Sequence, residues 1–206
     1  MAERILQLFP TPVLLSDVEN AATLNRELEA AILQEAERDE GMKLSNRGGW
    51  QSKRDFDRIS GDAGRQVVRA ALDLANAHTV RGPQSPHQGW SVDAWANVNR
   101  AGDFNMPHVH GGSFWSAVYY VSTGQGDGGD LVLHDPRMPA LIMHSPGLHF
   151  RDCGPEGMAR IRPSAGLLVL FPAWLSHSVE PWEGSGVRIS VAMNIRAAMA
   201  PPPTAR

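Results

Sequence analysis

Two histidines one residue apart, His108 and His110, lie in the stretch GDFNMPHVHGG at 102–112. In an extended strand, residues i and i+2 point to the same side, so these imidazoles would converge on one point, as metal ligands must. A third imidazole, His177, closes the segment FPAWLSH at 171–177. It follows the apolar run 166–170, a strand that could return it to the same mouth. Imidazole suits iron, zinc, copper and nickel alike. The pair alone says little, because 8 His in 206 residues supply roughly 0.3 His-x-His pairs by chance. His134, His144 and His149 read as structural or surface residues. Asp103 and Asp135 are spare carboxylates nearby, but one sits in a Gly-Asp turn and the other precedes a proline, so both read as turn residues.

These residues need elements to hold them. Residues 18–38 lack Gly and Pro, and Leu24, Leu28, Ile32 and Leu33 recur at helical spacing, which predicts an amphipathic helix. A second helix is expected over 62–77, with Val67, Val68, Ala71, Leu72 and Leu74 inward. From Trp90 onward the pattern changes to short β-type segments with turn signals between them. Strands are expected at 90–98, 114–121, 130–134, 140–144, 157–162, 167–172 and 186–195, with GQGDGGD at 124–130 as a hairpin loop. Many short strands imply a closed or double-sheet β architecture with the helices on one outer face. We expect one domain over 1–206, made of a helical flank (1–85), a β core (88–197) and a disordered tail (198–206).

Alternation divides the last strand. Val187, Ile189, Val191, Met193 and Ile195 share an apolar face fit to lie under a helix, while Arg188, Ser190, Ala192 and Asn194 share one that could line a polar cavity. Residues 91–99 divide the same way, with Val92, Ala94, Ala96 and Val98 opposite Asp93, Trp95, Asn97 and Asn99. The planar fork of Arg188 suits a carboxylate. Trp174 and Trp182 flank His177, and one or the other is expected near the mouth; the other aromatics read as core.

Composition excludes several classes. Apolar residues make up 42 % of the chain and charged residues 20 %, so it is neither disordered nor fibrous. Net charge is −3 with no Lys/Arg run, which argues against nucleic acid. Cys153 is the only cysteine, so no internal disulfide forms. The longest apolar stretch, 167–175, is far short of a membrane span, and MAERILQLF is too short and too acidic for a signal peptide. A cytoplasmic location is expected.

The stretch W-x-N-x-N-R-x-G-x5-H-x-H from Trp95 to His110 resembles the iron-binding region of the 2-oxoglutarate/Fe(II) oxygenase superfamily. NxPHVHxxSFWSAVYYV, GGDLVLHDPR, AGLLVLFPAWLSHSVEPW and RISVAMN are similar to a small bacterial and phage branch of it, with SNRGGWQS (45–52) matching an upstream element. The resemblance implies a mainly β, double-stranded β-helix (jelly-roll) fold with N-terminal helices on one sheet. It implies Fe(II) held by His108, His110 and His177, and 2-oxoglutarate as cosubstrate with its far carboxylate on Arg188, eleven residues after His177. Ser190, on the same face, could donate to the same group. Asn97 and Asn99 fall where related branches place cofactor-contacting polar residues. Molecular oxygen and a small-molecule or peptide substrate are the implied partners; a homodimer is left open.

One position departs from the family pattern. His110 stands where an Asp or Glu is usual, and three neutral imidazoles leave the iron one charge more positive than two with a carboxylate. Two alternatives follow. One is a cupin-type three-histidine metalloprotein, a dioxygenase or isomerase not using 2-oxoglutarate, although the glutamate of that motif is replaced by Phe114 and Trp115. The other is a non-catalytic binding protein with a vestigial metal site.

Overall fold

The computed structural model describes residues 4–137 and 157–199, together with 142, 145, 147, 148, 150 and 151. Most of the candidate strand at 140–144, His144, His149 and Cys153 lie outside the described residues, as does the expected tail beyond Met199; Ala198 and Met199, expected to be disordered, continue the last strand.

Two antiparallel sheets form the core. The larger has the order β1 (Leu14–Asp17), β10 (Leu167–Pro172), β6 (Trp115–Ser122), β13 (Arg188–Met199), β4 (His87–Asn99), β3 (Trp50–Gln51). The smaller has the order β2 (Asn46–Arg47), β5 (Phe104–His108), β11 (His177–Val179), β8 (Leu131–His134), β9 (Met158–Ile161). The outer face of the larger sheet carries α1 (Ala21–Ala36) and α2 (Phe56–Ala77). This is a jelly-roll core with its helices on one sheet, as the alternation of β13 requires.

The apolar rows of that sheet meet the helices. Ile189, Val191, Met193 and Ile195 of β13, with Ala94, Ala96 and Val98 of β4, pack in one buried cluster with Leu24, Leu28 and Ile32 of α1 and Val67, Ala71 and Ala75 of α2. The Tyr119 hydroxyl donates to Asn25 Oδ1 of α1 at 2.6 Å, satisfying a polar pair inside this layer. Between the sheets lies a second, smaller cluster that includes Tyr120, Leu131, Leu133, Val169 and Phe171. Among the described residues no helix is long and apolar enough to cross a membrane.

The differences from the expected elements have local causes. The second helix begins at Phe56, six residues early, because the chain passes through a break at Gly61 (φ 54°) that a side chain would resist. The stretch 124–130 is not a bare loop: β7 (Gln125–Gly128) pairs with β12 (Trp182–Ser185). Gly126 lies so close to Glu183 and Gly184 that any side chain there would clash, which explains a glycine-rich strand. The segment 45–52 forms a strap between the sheets, since β2 extends the smaller sheet beside β5 and β3 extends the larger beside β4. Two-residue strands carry too little periodicity to be seen in a sequence.

Candidate metal centre

His108 ends β5 and His177 begins β11, and the two are partners in the antiparallel ladder. Their rings are 4.3 Å apart between centroids. The ladder then slips, and Val179 pairs with Asn105, so β5 holds one residue more than β11 over this interval. That is a β-bulge, and it falls at Met106–Pro107, both exposed. Pro107 has no N–H to give a ladder, which is why the irregularity is tolerated there. The extra residue lets Asn105 and His108, three apart, both line the cavity.

His110 is not on a strand, so simple alternation does not place it. Its backbone N–H donates to Ala173 O at 3.0 Å, tying the ligand loop to the turn before His177. Its ring lies 4.9 Å from that of His108 and 5.0 Å from that of His177. One ligand nitrogen from each of the three residues lies within 4.8 Å of the others. Neither Asp103 nor Asp135 joins them. Asp103 Oδ2 accepts from Arg100 N at 2.7 Å, and Asp135 Oδ1 accepts from Arg137 N at 2.9 Å, the turn duty expected of both. His134 Nε2 lies 3.0 Å from Ser178 Oγ, a structural role.

The rings are prepared for a cation. His108 Nδ1 donates to Met106 O at 2.7 Å and His177 Nδ1 donates to Leu175 O at 3.0 Å. Each bond fixes the proton on Nδ1 and leaves the Nε2 lone pair for a metal. Burial, which disfavours the imidazolium, lowers the pKa of His108, brings His110 to about 4 and His177 to about 3. The positive charge His108 would carry, and for His110 also Arg54, add to the effect. All three imidazoles are neutral at physiological pH, and the donor set fits a divalent ion with affinity for imidazole.

The cavity runs from the histidines into the space between the sheets. Asn97, Ser190 and Arg188 line it, joined by Gln51, Trp95 and Tyr120. Asn99 does not line it. It is buried behind Arg188, whose Nη1 is 3.4 Å from Asn99 Oδ1. Arg188 is 2 % exposed and has no ion pair among the described residues. Its Nε has no hydrogen-bond partner, and its guanidinium carbon sits 5.2 Å from the centroid of the Tyr120 ring. The Tyr120 hydroxyl is fully buried beside that guanidinium, and burial pushes its pKa up. Gly129 (φ 68°) closes on the arginine stem; a Cβ there would stand 2.9 Å from Arg188 Cδ.

Neither of the two tryptophans that flank His177 lines the cavity. Trp182 is buried against Gly124 and Gly129, which flank β7, and Gly184 of β12, and Trp174 is exposed on the turn before His177. The aromatic beside the metal ligands is Trp95, 5.8 Å from the His110 ring. Tyr120 and Gln51 were missed. Tyr120 was legible, since it sits at even spacing from Ser116 on β6. Gln51 was not, because β3 is too short to show a face.

Comparison with known proteins agrees with this geometry. Residues 93–194 match the family described as "Putative 2OG-Fe(II) oxygenase". No curated protein matches the chain in sequence. Among solved structures, a prolyl hydroxylase from Trichoplax adhaerens superposes with a TM-score of 0.66 at 14 % identity, over 90 % of this chain and 83 % of its own. A prolyl-4-hydroxylase from Pseudomonas putida gives 0.60 at 18 % identity, over 90 % and 92 %. HygX from Streptomyces hygroscopicus, solved with nickel, 2-oxoglutarate and hygromycin B, gives 0.59 at 14 % identity, over 91 % and 83 %. At these identities the likeness is one of fold. The sequence match contains all three histidines and Arg188, and it places this chain among the 2-oxoglutarate/Fe(II)-dependent oxygenases.

Proposed function

We propose that His108, His110 and His177 hold the iron of this oxygenase, and that Arg188 receives the far carboxylate of 2-oxoglutarate. The observation that carries the reading is Arg188 itself, a buried cation on the cavity wall that makes no ion pair among the described residues, although the Asp130 carboxylate is near enough to favour its charge. A buried charge needs a partner, and a fixed guanidinium fork matches a carboxylate in shape and sign. Tyr120 and Ser190 stand beside it in cross-strand register and donate to the same group. Asn99 and Gly129 hold the arginine in place from behind. Asn97, nearer the histidines, contacts the cosubstrate along its length.

Bound Fe(II), with 2-oxoglutarate and oxygen, supplies the oxidation of a substrate C–H bond coupled to the conversion of 2-oxoglutarate to succinate and carbon dioxide. The residues of the chain do the rest. The three imidazoles present neutral lone pairs on one side of the cavity, with two of them held in a fixed tautomer. Trp95 and Phe171 flank the rings and exclude water from that end. Arg188 fixes the depth of the cosubstrate and so the position of its reacting end. Succinate production from 2-oxoglutarate by the Fe(II)-loaded protein tests the reading. Tight iron binding with neither 2-oxoglutarate binding nor succinate would leave a three-histidine metalloprotein of the cupin kind.

A further inference from the structure

At the metal end of the cavity two buried side-chain oxygens have no hydrogen-bond partner among the described residues. Ser116 of β6 and Asn194 of β13 are direct cross-strand partners and are 1 % and 4 % exposed. Ser116 Oγ and Asn194 Oδ1 both lack a hydrogen-bond partner, and they do not bond each other. Ser116 lines the cavity, and Asn194 follows Ala192 on the same face of β13. Ser116 is also the ladder partner of Phe171, whose ring lies 4.8 Å from that of His177. Six residues of β13, or roughly 20 Å, separate Asn194 from Arg188, so one small dicarboxylate does not serve both ends.

An orphaned buried polar atom costs about 1–3 kcal/mol, and two side by side, Ser116 on the cavity wall and Asn194 just beyond Ala192 on the same face, mark a place where a ligand bonds. We propose that Ser116 and Asn194 form the subsite for an uncharged carboxamide of the substrate, whose N–H donates to Asn194 Oδ1 and whose carbonyl accepts from Ser116 Oγ–H. The chemistry of the wall selects that class. The next residue across from Asn194, Asp93, is already bonded to both Arg54 and Arg196, so it leaves no free carboxylate for a cationic ligand. Those two cations against one acid disfavour a further positive charge, and both guanidiniums are engaged by Asp93 and partly exposed to solvent, so neither is a free counter-ion for a buried anion. A group with a donor beside an acceptor remains.

The proposal rests on the oxygenase reading for its place beside the iron, and the test separates the two. Acetamide is the probe, with acetate as its charged isostere, titrated into the protein loaded with Zn(II) and 2-oxoglutarate. The side-chain amide resonance of Asn194 is followed by NMR. Acetamide should shift that resonance saturably and acetate should not. In a Ser116→Ala/Asn194→Leu variant, followed by Trp95 fluorescence, acetamide binding should weaken by about tenfold or more. Metal and 2-oxoglutarate binding should be unchanged. The melting temperature should hold within about 2 °C or rise, since removing two unpartnered polar groups costs nothing. No saturable acetamide shift in wild type, equal acetamide binding by the variant, or a melting temperature lower by more than about 5 °C would each overturn the subsite. The acetamide titration is repeated on the metal-free chain. Failure of wild type to bind 2-oxoglutarate sinks the oxygenase reading alone, while the amide shift still decides this one.

Discussion

His108 and His177 face each other across the β5–β11 ladder with ring centroids 4.3 Å apart, and each ties its Nδ1 to the carbonyl two residues before it. Two strands of one sheet thus present two Nε2 atoms in matched orientation. His108→Ala with His177→Ala should abolish retention of Fe(II), Ni(II) or Zn(II), measured as metal per chain after dialysis. Stoichiometric metal in the double variant would overturn the centre.

His110 differs from its two partners in having no strand and no ring hydrogen bond among those described. His110→Asp should still bind iron, because a carboxylate is the usual third ligand. His110→Ala should bind it more weakly. Equal affinity of the alanine variant, by competition with a chelator, would show that another residue completes the set.

Arg188→Met removes the charge but keeps the length of the stem. Loss of one member of a buried ion pair costs on the order of 3–5 kcal/mol, so 2-oxoglutarate binding should weaken by roughly two orders of magnitude or more. Metal content should not change. Calorimetric titration of the metal-loaded variant decides it, and unaltered affinity would remove Arg188 from the cosubstrate site.

Gly129→Ala should act on the same anchor from behind. The new methyl would lie 2.9 Å from Arg188 Cδ and 3.1 Å from Trp182 Cδ1 at a positive φ. A cost of about 1–3 kcal/mol in stability is expected, together with weaker 2-oxoglutarate binding and full metal occupancy. Thermal unfolding and the same titration read both effects.

Acidification should weaken the metal-free protein. Folded His110 and His177 titrate at about 4 and about 3 because burial disfavours their charged forms, against about 6.5 in an unfolded chain. Below about pH 6.5 the unfolded state therefore binds protons that the folded state refuses. Stability is full above that pH, falls as pH drops towards 3, and levels off beyond. Urea unfolding of the metal-free chain at pH 7.5, 6 and 5 should give decreasing midpoints, and a rising series would contradict the assigned neutral forms.

Much of this was readable from residue order. The division of β13 into Val187–Ile195 and Arg188–Asn194 rows follows from a period of two. It named both the helix-bearing face and the cavity face, and it put Arg188 and Ser190 on the latter. The convergence of His108 and His177 was also legible, though the expected reason held only in part. His108 and His110 do not meet by strand alternation, since β5 stops at His108; a backbone bond to Ala173 brings His110 in. That bond joins residues 63 positions apart, and no local pattern encodes it. Asn99 shared the parity of Asn97, but alternation gives a face and not a depth, and the arginine stands between Asn99 and the cavity.

The bulge at Met106–Pro107 makes chain length, rather than side-chain identity, the quantity under constraint in this corner. Removing one residue between Asn105 and His108 would restore an even ladder and rotate the imidazole to the solvent side with every ligand still spelled out in the sequence. A one-residue gap at this point, in a homologue or a designed variant, therefore diagnoses a lost metal centre that a count of histidines would report as intact.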